Sequence, residues 1–157
     1  MYLFVLSIHN ILRWLVMITA ILALVRAYQG WSGKKEWLKM DDTAGILFTS
    51  MLDMQVLVGL ILFLFISPVT RGAFANLSIA ASDPITAYFT IEHVFAMLVA
   101  MALAHVGRSL AKKATPVQAK FRTAAIWFSV SVLVLLIAIP WPFLANGIGR
   151  PLLRLFS

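Results

Sequence analysis

The sequence predicts an all-α protein, a four-transmembrane-helix up-down bundle. Three observations predict it: four apolar stretches of spanning length, a scarcity of charge, and basic residues gathered in alternate connections. Of 157 residues, 62% are hydrophobic and 12% charged, about half the charged share of a soluble domain. Most of the surface therefore meets lipid. A helix needs ~20 apolar residues to cross a bilayer core, and the spans are read at about 2–28, 44–67, 84–110 and 122–139. Uninterrupted apolar runs satisfy their backbone in lipid as helices rather than as alternating strands. The chain, 1–157, forms a single four-helix membrane domain.

Each span carries its own punctuation. The first lacks the basic n-region and short apolar core of a cleavable leader, so it is expected to remain as a helix. Ser67-Pro68 stops the second. The apolar, small-residue stretch 69–82 is expected to lie on the membrane surface. Asp83-Pro84 opens the third span as an N-cap followed by proline at the first helical position. Thr115-Pro116 precedes the fourth span, and Pro140-Trp141-Pro142 ends it.

Charge gives the orientation. Arg26, Lys34, Lys35 and Lys39 lie in the first connection, and Arg108, Lys112, Lys113, Lys120 and Arg122 in the third. Arg71, Arg150 and Arg154 lie on the other side. The positive-inside rule then puts both termini outside a bacterial inner membrane, with Trp31, Trp37 and Trp141 near the interfaces. The net charge of +7 is explained by this topology and by anionic headgroups, without nucleic acid. With no cysteine there is no disulfide, thiolate site or covalent c-type haem attachment.

Six ionisable residues fall inside the spans: His9, Arg13, Asp53, Glu92, His93 and His105. Such groups are costly in lipid and face the bundle interior. His9 and His93 lie seven to nine residues into two parallel spans, at depths matching to within ~3 Å. A matched pair of imidazoles is one way to hold haem iron; two separately hydrogen-bonded histidines are the other reading. Ala96, Ala100 and Ala104 on the His93 side leave room either for a closely packed helix or for a flat macrocycle. Arg13, about one turn from His9, is expected to pair with Asp53 or Glu92. Arg71 and Arg150 are the candidates for haem propionates. His105 has three candidate roles: a second haem site with methionines, contact with Arg108 and headgroups, or a quinone pocket with Gln55.

The pieces His9-Asn10-Ile11-Leu12-Arg13-Trp14, Gln55, Gly59-Leu60, Ser67-Pro68, Glu92-His93, Met97, Gly107-Arg108-Ser109 and Pro140-Trp141-Pro142-Phe143 span nearly the whole chain. In that order they resemble a family of small bacterial (Bacteroidetes-type) four-helix membrane proteins labelled cytochrome b-like. The resemblance implies His9 and His93 as haem ligands. Larger respiratory cytochromes b pair histidines along two helices about two heptads apart, whereas here His93 and His105 are twelve apart and the first span has His9 alone.

The leading expectation is a b-type haem-binding electron-transfer subunit with one haem near the outer face, rather than a stand-alone enzyme. Its partners would be the bilayer and other membrane subunits or further copies of itself. A cofactor-free accessory subunit is the second reading. Proton or small-solute translocation by an oligomer, through Asp53, Glu92 and the histidines, is the third.

Overall fold

A computed structural model describes residues 1–147 and 150–155. Helix α1 runs over Tyr2–Ser32, and α2 over Lys39–Ile61 with a π-helical turn, Leu62–Ile66, at its end. Two short helices follow, α3 (Pro68–Ala75) and α4 (Leu77–Ser82). Helix α5 (Pro84–Ala87) joins α6 (His93–Lys113) through a second π-helical turn, Tyr88–Glu92, and α7 covers Val117–Ala138. Four continuous helical units, of 31, 28, 30 and 22 residues, are long and apolar enough to cross a membrane. The chain is an all-α, multi-pass membrane protein. Ile18, Leu57, Leu133 and Ile137 are exposed around its circumference, as lipid contact requires.

The predicted spans are all present, with longer ends. The first helix continues to Ser32 and the second begins at Lys39, because polar residues beyond the apolar window also have local partners. The Asp41 carboxylate accepts the Leu38 N–H at 2.8 Å and pairs with Arg26 at 2.9 Å, capping α2 and tying it to α1. The stretch 69–82, expected as a surface segment, is folded into α3 and α4. Asp83 caps α5 by accepting the Thr86 N–H at 2.9 Å. The Thr86 hydroxyl, which also donates to this carboxylate, and then the N–H hold the Asp83 carboxyl below the ordinary carboxylate range. The cap is therefore in place at neutral pH and is lost as pH falls through the lowered value.

Helix α1 packs on α2 and α7, and α6 packs on α7 and α2, so α1 and α6 face each other across the diagonal. The half of the bundle near the basic connections is closed by small residues, which let backbones approach. Ala20, Ala23 and Ala27 of α1, Ala104 and Gly107 of α6, and Ala124 and Ala125 of α7 are all buried there. Phe48, Leu52 and Phe128 fill the remaining core. Ser131 donates to the Ala100 carbonyl at 2.7 Å, so the alanine stripe of α6 serves close packing against α7. Of the two uses the sequence leaves open for that stripe, helix packing is the one realised. At Gly107 the Trp127 side chain leaves no room for a Cβ. Gly107→Leu is expected to cost about 1–3 kcal/mol by overpacking, read as a lower unfolding temperature in detergent. Gly72→Ala, at a position with nothing within 4 Å of an added Cβ, should show no loss.

Candidate functional site

The opposite half of the bundle, at the end holding both termini, is not closed. A cavity of about 170 Å³ lies there, open on one side. Its walls come from the start of α1, the end of α2, the second π turn and start of α6, the end of α7, and the segment 150–154. Both histidines line it. The rings of His9 and His93 stand 6.4 Å apart between centroids and 71° apart in plane, joining the diagonal helices across this opening.

Proline chemistry positions His93. Pro140 and Pro142 have no N–H, so the carbonyls of Leu136 and Ala138 have no helical donor four residues on. Side chains supply both bonds. Trp141 Nε1 donates to the Leu136 carbonyl at 2.8 Å. Tyr88 Oη, at 2.6 Å, and His93 Nδ1, at 2.8 Å, donate to the Ala138 carbonyl. His93 is thus fixed as the Nδ1–H tautomer, and Nε2 carries its lone pair. A backbone carbonyl on the second ring nitrogen is the usual companion of a metal-ligating histidine.

His9 is held differently. The Gln55 amide lies 3.1 Å from its Nε2, while His9 Nδ1 and Gln55 Oε1 are buried without a partner. The ring rests on Gly59, where an added Cβ would sit 3.1 Å from His9 Cε1. An added Cβ would be tight here, and a larger side chain would have to displace the imidazole. The two π turns flank the site, contributing Leu62, Phe63 and Phe89 to its walls. Such insertions recur at functional sites because they re-aim the helix face.

A third feature is the return of the chain along α1. Ser7 Oγ donates to the Leu155 carbonyl at 3.1 Å, Asn10 Oδ1 accepts the Arg154 N–H at 2.9 Å, and Trp14 Nε1 donates to the Leu152 carbonyl at 3.0 Å. Arg13 donates to the same carbonyl. One polar stripe of α1 therefore satisfies an irregular backbone segment, which lipid could not do.

Several expected pairings are replaced. Arg13 pairs with neither Asp53 nor Glu92: it reaches the Leu152 carbonyl, its Nε is buried without a partner, and neither acid lines the cavity. Asp53 instead contacts His105 at 2.7 Å, with both side chains 46% exposed. His105 therefore stands away from the cavity and away from Gln55, which faces His9. Glu92 is exposed. Arg71 is exposed on α3, opposite the buried Thr70 and Ala73, and does not line the cavity; Arg150 does. The reading from sequence missed Gln55 as the partner of His9, Gly59, Tyr88, Arg154 and the docking of the terminal segment. The i, i+3, i+7 spacing of Ser7, Asn10 and Trp14, and the unpaired carbonyls implied by Pro140 and Pro142, were signals for part of this.

Chemically, the arrangement offers two imidazoles across an apolar gap. Among the described residues no three His, Cys, Asp or Glu side chains come together. A metal held here would have two protein ligands and would bring its other ligands with it. Comparison of the chain with protein-family models, curated proteins and solved structures gave no match. Gly59→Leu is expected to displace the His9 ring and break its contact with Gln55, read as a changed His9 imidazole resonance by NMR in detergent with the helical content kept.

Proposed function

We propose that this protein binds one b-type haem between His9 and His93 and carries electrons within a membrane. The observation that carries the reading is the 6.4 Å separation of the two rings across the cavity. Metal–imidazole bonds of about 2 Å on both sides of an iron put ring centres roughly 6.3 Å apart. The residues present fit the group in three further respects. His93 has its Nδ1 anchored on a carbonyl, His9 Nε2 meets only the neutral Gln55 amide, and the walls are largely apolar, with Leu60, Leu62, Met97 and Leu135 among them. His9 Nε2 is the atom paired with Gln55, so His9 would hold the group through Nε2 by giving up that amide contact. When bound, the haem supplies one-electron redox chemistry. The chain's own residues hold and orient the ring, keep water from its faces, and set its potential through ligand identity and burial.

By the positive-inside rule the histidine end faces outward from a bacterial inner membrane. That supports exchange between a quinone or membrane partner and an acceptor outside. The half-exposed Asp53–His105 pair, at a depth where lipid is a poor neighbour, favours a second reading as a subunit of a larger assembly.

The experiment is a reduced-minus-oxidised absorption spectrum of purified protein, expressed with haem supply. A b-type difference spectrum is expected in the wild type. His93→Ala and His9→Ala are each expected to lose most of the bound haem or its six-coordinate signature. A colourless, folded wild type would overturn the proposal.

A further inference from the structure

The cavity carries a charge imbalance that the histidines do not account for. Arg13, Arg150 and Arg154 line it, and no aspartate or glutamate does. The two ion pairs among the described residues, Arg26–Asp41 and Asp53–His105, lie elsewhere. Arg150 places its guanidinium 4.1 Å from the centre of the Phe89 ring. Arg13 lies over Trp14 and Trp141, at 5.4 and 5.8 Å from the ring centroids, with Nε buried and unpartnered. Aromatic faces and one carbonyl attract these cations, yet they do not cancel the charge. Three guanidiniums beside an apolar gap in a membrane call for a counter-charge. The structure assigns that role to the ligand.

We infer that the segment 150–155 is a cationic clasp across the cavity mouth, and that Arg150 and Arg154, with Arg13 deeper on α1, take the carboxylate end of an anionic amphiphile whose apolar body fills the cavity. The clasp is built rather than incidental. Its backbone is fastened to Ser7, Asn10, Arg13 and Trp14, which sets both arginines of the segment against the opening. Guanidinium pairs with carboxylate through charge-assisted, two-pronged hydrogen bonds. Two polar atoms further in, His9 Nδ1 and Gln55 Oε1, are buried without a partner on residues that line the same cavity. Naming the amphiphile as a haem, with its two propionates, rests on the proposed function. A fatty acid presents the same head chemistry, and the experiment separates the two.

The 157-residue protein in a neutral detergent is titrated with ferric protohaem and with its dimethyl ester, which lacks the free carboxylates. Wild type is expected to bind the acid about tenfold more tightly than the diester, the scale of one good charge-assisted contact. In R150Q/R154Q the two are expected to bind within about twofold of each other, with the haem spectrum unchanged in position. The single variants R150Q and R154Q answer the same question if the double variant does not fold. His93→Ala should weaken binding of both forms and alter the spectrum of what remains bound, while the ratio favouring the acid is kept, which distinguishes ligation from the clasp. If wild type takes neither form, the haem reading fails, and oleate against methyl oleate poses the same test. Preference for oleate, lost in R150Q/R154Q, then supports the clasp with a fatty acid as occupant. Equal binding of acid and ester by wild type, or full preference retained in R150Q/R154Q, overturns it.

Discussion

Lipid offers no hydrogen bonds, and most of the site follows from that one constraint. Each polar backbone group left open within the membrane must find a partner in the protein. Pro140 and Pro142 leave two carbonyls at the end of α7 without helical donors. Trp141 takes one; Tyr88 and His93 take the other. The orientation of His93, and with it the tautomer that leaves Nε2 free, is thus a consequence of the N–H that Pro142 lacks just beyond the end of α7. The same requirement explains α1. Ser7, Asn10, Arg13 and Trp14 lie on one stripe and bind the backbone of residues 152–155. Residues that look like isolated polar defects in an apolar helix are the binding surface for an irregular segment of the same chain.

The two halves of the bundle use this constraint in opposite ways. Near the basic connections, small residues bring α1, α6 and α7 together, and large rings lie over glycines, as Phe121 over Gly30 and Trp127 over Gly107. The Arg26–Asp41 cap lies there, as does Arg108, whose Nε is buried without a partner. At the other end, two π turns interrupt the second and third spans, and His9, Gln55 and Arg13 each keep an unpartnered buried atom. Three of the four buried side-chain atoms without a partner among the described residues lie at this end, and the fourth, Arg108 Nε, lies near the basic connections.

Particular residues show how far the sequence could be read. The four spans and their stops were legible, because apolar runs, Asp83-Pro84, Ser67-Pro68 and the Pro-Trp-Pro ending are local signals. His9 and His93 could be matched in depth by counting residues from span ends, and they do line one cavity with rings in contact range. The alanine stripe of α6 was legible as small but ambiguous in use; Ser131 on α7 decides for packing. Arg13 was assigned an acid because charge neutralisation by carboxylate is the usual solution. Here a carbonyl from the other end of the chain, 139 residues away, takes part of that role. Asp53 turns to His105 on the outer surface, a choice of face that small rotational offsets over a long helix are enough to alter.

By itself the sequence determined the solvent, the number of spans, their ends and the depth of each ionisable group. These depend on hydropathy, proline geometry and a fixed rise per residue, all of which act locally. Tertiary structure alone decided which groups meet. Those meetings depend on helix rotation, on the extra residue in each π turn, and on a return of the chain that brings Arg150 and Arg154 against the start of α1. Partners of Arg13, the hold of Gln55 on His9 and the anchoring of His93 by Ala138 are long-range contacts, set by how four helices and one terminal segment share a limited supply of donors.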